Sequence, residues 1–146
     1  MKRGFAICVI AILLSGCSQK AAFENLADGP CTSAQAKLVN QHISGQIDAL
    51  AKKDWELAFS YASPDFQKNV GIEQFTFIIG TQYGMLIENQ GYRFNKCAIA
   101  GKAIMQEVEV TSGKQISNLT YSLSLNGSSL GVESAVERRS STQLDT

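Results

Sequence analysis

The stretch IMQEVEVTSGKQISNLTYSLSLN, residues 104–126, changes the period of the chain. Ile104, Val108 and Val110 share one side of an alternating pattern, and Met105, Glu107 and Glu109 take the other. Leu119, Tyr121, Leu123 and Leu125 alternate in the same way with Thr120, Ser122 and Ser124. A period of two marks a strand with one buried face. Ser112-Gly113 separates the two runs and Asn126-Gly127 closes the second, which predicts two hairpins. On the N-terminal side, Tyr92 and Phe94 alternate with Arg93 and Asn95; the phase then slips so that Cys97 aligns with Ile99, as at a bulge. On the C-terminal side, Leu130, Val132 and Val136 make a last strand. Everything after Gly91 therefore reads as an antiparallel meander.

Before Gly91 the spacing is helical. Thr32 with Gln35 three residues later matches a capping box, and Ala36, Val39, Ile43, Ile47, Leu50 and Ala51 recur at helical intervals to about Lys53. Trp55 to about Tyr61 predicts a second helix. Ser63-Pro64 reads as N-cap and first residue of a short turn, with Asp65 at its positive end. A third helix is expected over about Ile72 to Gly80, with Phe75, Ile78 and Ile79 as its apolar face. Helices first and a meander second give an α+β fold, with helices packed on one face of a curved antiparallel sheet.

The N-terminus is of a different kind. Lys2 and Arg3 precede an unbroken apolar run over 5–14, too short to span a bilayer but suited to a secretory signal. Leu14-Ser15-Gly16-Cys17 follows, and it resembles the lipobox of bacterial lipoproteins. That resemblance implies cleavage between Gly16 and Cys17, a diacylglycerol thioether on Cys17 and a further fatty acyl chain, such as palmitate, on its amine. Several chains hold a protein on a bilayer where one is marginal. Ser18, where an aspartate would retain such a protein, implies the outer membrane facing the periplasm if the cell is Gram-negative. The expected organisation is thus a signal peptide over 1–16, a lipidated N-terminus and tether over 17–30, one domain over 31–137 and a polar tail over 138–146. Extended, the tether could reach roughly 45 Å.

Composition narrows the function. The chain has 146 residues, with 13 Lys+Arg against 13 Asp+Glu, 45% hydrophobic and 18% charged, which excludes a charge-rich disordered chain. Losing Lys2 and Arg3 with the signal leaves the mature form at −2. Neither balance offers the basic surface that nucleic acid requires. With Cys8 in the signal and Cys17 in the lipobox, Cys31 and Cys97 remain. An even pair in an exported domain reads as a disulfide. Two free thiols, or a metal site completed by His42, are the alternatives, and the second lacks the close ligand spacing of a zinc motif.

Candidates for chemistry are few. Gly127-Ser128-Ser129-Leu130-Gly131 fits G-x-S-x-G, but no helix pattern and no histidine follow it, as a nucleophile elbow requires. His42, the single histidine, lies beside the apolar arc of its helix and reads as structural. Gln46 and Gln106 fall on inward faces, where an amide must find a partner or line a polar pocket. Asp54 is the best-placed carboxylate, and it also suits an N-cap. No catalytic set, metal cluster or cofactor motif emerges.

Gln46-Ile47-Asp48-Ala49-Leu50, Asp54, Ala58-Phe59, Ala62-Ser63-Pro64, Gln74-Phe75, a tyrosine at 83, Gln106-x-Val108-x-Val110 and Tyr121-Ser122-Leu123 together resemble a bacterial family of unknown function in the nuclear transport factor 2-like superfamily. The resemblance covers residues 43–136 and implies a cone, with three helices against a strongly curved sheet. Leu130-Gly131-Val132 stands where such proteins often carry a tryptophan. The expected function is that of a non-catalytic cell-envelope lipoprotein, held on the lipid bilayer through acylated Cys17 and acting through binding or assembly. The alternatives are a small-molecule binder or isomerase/dehydratase-like enzyme using a cone cavity lined by Gln46, Asp54 and Gln106, and an accessory or immunity lipoprotein with a protein partner.

Overall fold

Three two-residue turns set the sheet. The computed structural model describes residues 15–138, so the signal-peptide expectation over 1–14 and the tail over 139–146 lie outside the described residues. Strands β2 (Gly91–Ala100), β3 (Ala103–Ser112), β4 (Gln115–Asn126) and β5 (Ser129–Arg138) form a meander. They are joined by Gly101-Lys102, Gly113-Lys114 and Gly127-Ser128. Each turn glycine has φ between +60° and +64°, a backbone open to glycine without steric cost. A glycine at the first central position matches the type II′ hairpin, whose twist suits the flanking strands. The turn residues sit one position later than the sequence pattern suggested, and the Gly101 turn was not anticipated. The slip of phase in β2 is real: register shifts between Phe94 and Cys97.

The helices are α1 (Ser15–Ala22), α2 (Ser33–Ala51), α3 (Trp55–Ser60), α4 (Pro64–Asn69), α5 (Ile72–Gln82) and α6 (Gly84–Ile87). α2 begins with the expected capping box: Thr32 accepts from the Gln35 backbone N–H, and Gln35 Oε1 accepts from the Thr32 N–H. Asp54 and Ser63 cap α3 and α4 through their side chains. α5 runs to Gln82, beyond the expected Gly80, and α6 adds a turn that buries Leu86.

The core lies between α2 and the inward sheet face. Val39, Ile43, Ile47 and Leu50 of α2 are fully buried, as are Ile104, Val110, Leu119, Tyr121 and Leu123 from the strands. This is an α+β fold with a curved, open, five-stranded antiparallel sheet in the order β1-β2-β3-β4-β5, where β1 is the short strand Gly29–Pro30.

β1 corrects the picture of a free tether. Ala22 and Leu26 pack against the core and Phe23 is buried within it. Gln35 Nε2 donates to the Ala22 carbonyl, and Asp28 accepts from the Gly101 N–H. Gly29 and Pro30 then pair with Ile99 and Ala98. The packed body therefore begins near Ala22 rather than at 31; Phe23 and Leu26 gain more from burial than a solvated linker would gain in entropy. Arg138 likewise ends β5 and pairs with Glu107 at 3.0 Å instead of opening a polar tail.

Cys31 and Cys97 are joined, with 5.4 Å between their Cα atoms. The bridge clamps the residue before the α2 cap to β2, beside a Cys31 N–H to Cys97 carbonyl hydrogen bond. A closed loop of this length stabilises by about 4 kcal/mol in the chain-entropy picture.

The helices also enter the sheet edge. Ala62 forms a parallel bridge with Val132: Val132 N–H donates to the Tyr61 carbonyl and Ser63 N–H to the Val132 carbonyl, both at 2.9 Å. That approach needs a bare backbone at Gly131, where a Cβ would lie 2.5 Å from Ser63 Cα. The G-x-S-x-G match is thereby explained as one hairpin glycine and one packing glycine.

Two stability measurements check this account. Phe23→Ala should lower unfolding free energy by about 3 kcal/mol; a surface tether residue would cost nothing measurable in the same denaturant titration. Gly131→Ala should cost about 1–3 kcal/mol through overpacking, and an unchanged midpoint would show that the junction can shift freely.

Candidate functional site

The side of α2 that faces α3 carries two polar residues one turn apart. His42 Nε2 lies 2.8 Å from the Tyr61 carbonyl, and Gln46 Nε2 donates to the Ala58 carbonyl at 3.2 Å. Both add a second contact to carbonyls at the end of α3, since Ala58 also accepts from the Tyr61 N–H and Tyr61 from the Val132 N–H. A carbonyl can only accept, so the His42 proton sits on Nε2. The ring also meets Tyr61 edge-on, with centroids 5.0 Å apart. Burial lowers the His42 pKa, and the hydrogen bond to Tyr61 opposes that shift.

Beyond Gln46 the layers part. A cavity of about 200 Å³ opens between α5 and α6 on one side and β4 and β5 on the other. Leu50, Phe66, Phe75, Ile79, Leu86 and Val132 give it an apolar wall, with Ile78 and Val136 also lining it. Its polar lining is Gln46, Tyr83, Tyr121, Glu133 and Ser134. Tyr83 donates its hydroxyl to the Ala135 carbonyl, and Glu133 accepts from Ser124 Oγ. Tyr121 differs from both: it is wholly buried and its hydroxyl has no hydrogen-bond partner. Burial pushes its pKa well above the ordinary tyrosine value, with the nearby phenols of Tyr83 and Tyr92 adding to the shift. The group is therefore a neutral O–H donor at any physiological pH.

The three residues expected to line one cavity are not brought together. Gln46 does line it. Gln106 is buried elsewhere, with Nε2 within 3.3 Å of the Asn95 and Lys96 carbonyls at the β2 bulge and 2.9 Å from its own strand at Glu107. Asp54 is exposed and accepts from the Leu57 N–H as the cap of α3. Glu133 also lines the cavity, with its carboxylate bonded to Ser124, and neither it nor Tyr121 and Tyr83 stood out in the sequence as site residues. A tyrosine on a leucine-rich inward face is the one signal that pointed here, because a buried hydroxyl needs a partner.

A wider depression of about 790 Å³ runs along the outer side of α2 past Lys37, Asn40 and Ser44, but it is open to solvent. The cavity beside Gln46 is the more sheltered of the two and the better candidate, since exclusion of water is what strengthens a polar contact. Among the described residues, no group of three His, Cys, Asp or Glu side chains could hold a metal ion, and no helix is long and apolar enough to cross a membrane.

A family model described as a domain of unknown function, DUF4864, matches residues 32–133. The chain belongs to this family. No characterised protein and no solved structure matches it. The DUF4864 match starts at the Thr32 cap and ends at Glu133. It thus includes Gln46, the Ala62–Val132 bridge and Tyr121, and leaves the docked segment before Cys31 outside.

His42 supplies a pH test of the α2–α3 junction. A base whose folded pKa is lowered stabilises the fold fully above its unfolded pKa of about 6.5 and loses that contribution as pH falls below it. Thermal midpoints should therefore drop between pH 6.5 and pH 5, where no other side-chain type ordinarily titrates. His42→Gln should flatten that drop; an equal drop in the variant would remove His42 as its cause.

Proposed function

We propose that this DUF4864 protein is a lipid-anchored cell-envelope protein whose helix–sheet cavity binds a small molecule without transforming it. The observation that carries the binding role is the cavity of about 200 Å³ between the helices and β4 and β5, with a mostly apolar wall and Gln46 and Tyr83 among its lining. Binding is preferred to turnover because the lining offers one carboxylate, Glu133, and no imidazole beside it. Proton transfer to and from a substrate ordinarily uses a base and an acid within hydrogen-bond reach.

The finer fold assignment, a nuclear transport factor 2-like cone, is part of the same reading. It is supported by the helices-then-meander order, the curl of the sheet and the cavity at its open side. The anchor rests on the lipobox-like Leu14-Ser15-Gly16-Cys17 behind a charged and apolar leader. Only five residues separate Cys17 from Phe23, the first of the described residues buried in the core, so an acylated Cys17 would hold the domain close to the bilayer.

Two measurements test the two halves. Expressed in a Gram-negative host, the wild-type chain should fractionate with membranes and carry acyl mass on Cys17, and Cys17→Ala should lose both; an unacylated wild type ends the anchor. Ala135→Leu, which places a larger side chain at the cavity wall, should weaken hits from a neutral-fragment screen at least tenfold. Undiminished affinity would move binding to another surface.

A further inference from the structure

The donors and acceptors of the cavity wall narrow what it can hold, and this inference rests on the binding role proposed above. The volume, about 200 Å³, compares with the roughly 150 Å³ of a dry apolar cavity that accommodates benzene, which scales to about eight non-hydrogen atoms. The lining contains no Lys, Arg or His. Two of its polar residues turn their side chains away: Glu133 accepts from Ser124 Oγ, and Ser134 pairs with Ser122, both on the side of β4 opposite Leu119, Tyr121 and Leu123. The Tyr121 hydroxyl has no accessible surface, and Tyr83 spends its O–H on the Ala135 carbonyl. Gln46 remains. Its side chain lines the cavity, is 4% exposed and donates through Nε2 to the Ala58 carbonyl. A carbonyl only accepts, so the amide cannot be turned over and Oε1 is the atom left over. Among the described residues Oε1 has no donor, yet it is not one of the sealed oxygens without a partner, which are Asn40 Oδ1, Gln106 Oε1 and the Tyr121 hydroxyl. Gln46 Oε1 therefore keeps accessible surface in a residue that is otherwise buried.

We propose that the cavity takes a compact, neutral, mostly apolar alcohol whose O–H donates to Gln46 Oε1. No covalent step is involved. With the Tyr83 O–H and one of the two Gln46 N–H groups already spent, the amide offers a guest one remaining hydrogen and an oxygen with both lone pairs. A hydroxyl meets either atom, whereas a ketone can use the hydrogen at most and leaves Oε1 unmet. An ion of either sign would lose its hydration with no counter-charge turned towards it. The carbon frame of the alcohol then covers Leu50, Phe75, Ile79 and Leu86.

Four probes of nearly one shape separate the possibilities on the full-length chain: cyclohexanol, cyclohexanone, methylcyclohexane and cyclohexylammonium. Binding is read from backbone amide shifts of Val132 to Val136 and from the side-chain amide signal of Gln46. Cyclohexanol should bind ahead of cyclohexanone by about three- to tenfold, the worth of one neutral hydrogen bond, and cyclohexylammonium should be weaker than both. The Gln46 side-chain signal should move with cyclohexanol and stay nearly still with methylcyclohexane. Gln46→Met, which keeps the length of the side chain and removes both polar atoms, should bring alcohol and ketone level while methylcyclohexane still binds. Equal or tighter binding of the ketone by the wild type overturns the alcohol assignment and leaves the binding role intact, and this comparison holds even if the variant does not fold. An alcohol preference that survives in Gln46→Met overturns Gln46 as the acceptor, and tighter binding of the ammonium than of cyclohexanol overturns the neutral class. If no probe shifts residues of β5, the binding role falls and the alcohol assignment with it.

Discussion

The pairing of Ala62 with Val132 is the constraint on which the layout of this domain depends. By inserting the backbone of residues 61–63 into the edge of β5, it fixes the height of the α3–α4 junction above the sheet. The junction is held from three directions: by the sheet through Val132, by α2 through His42 and Gln46, and by its own Ser63 cap. Because the junction cannot sink further, α5 and α6 meet β5 across a gap instead of closing on it. Ala62 and Val132 both line the cavity, so the tie that fastens helix to sheet is also a wall of the void. The absence of a side chain at Gly131 makes this possible, and a larger residue there would drive against backbone, which cannot yield as a flexible side chain would.

A second set of ties works at the opposite edge. β1 covers only the Ala98–Ile99 end of β2, yet with the disulfide, the Asp28–Gly101 contact and buried Phe23 it closes off that margin of the sheet. Edge strands are blunted in just such ways, by short covering strands and by segments that remove free backbone donors. These residues lie largely outside the family match, which begins at Thr32. The shared domain and the segment that covers its edge are therefore separable in sequence, although they pack as one body.

How much of this was legible beforehand follows the range of each interaction. The capping box at Thr32, the caps at Asp54 and Ser63 and the alternation in β3 and β4 are local, and local pattern found them. So was the bulge in β2, which shows as a slip of phase. The docking of residues 18–30 is not legible because nothing in them is periodic; Phe23 is a single apolar residue whose burial depends on a surface built from elsewhere. The glycine of G-x-S-x-G nearest β5 had no local reason either, since its reason is Ser63, far away in sequence and adjacent in space.

Gln106 and Tyr121 show the same division at the level of chemistry. Both sit on inward strand positions, paired directly across β3 and β4, and both are fully buried. From sequence they pose one problem, a polar group in an apolar face. The structure answers it in two ways. Gln106 faces the bulge, where its Nε2 donates to the misregistered carbonyls of Asn95 and Lys96 while its Oε1 stays without a partner. The Tyr121 hydroxyl reaches no carbonyl at all. A chain selected only for stability would place phenylalanine there, since removing an unmatched hydroxyl from a core tends to stabilise. Both residues keep one buried oxygen without a partner, so an unmade hydrogen bond does not by itself mark a site, and it is the gap between the helices and β5 that separates the surroundings of Tyr121 from those of Gln106.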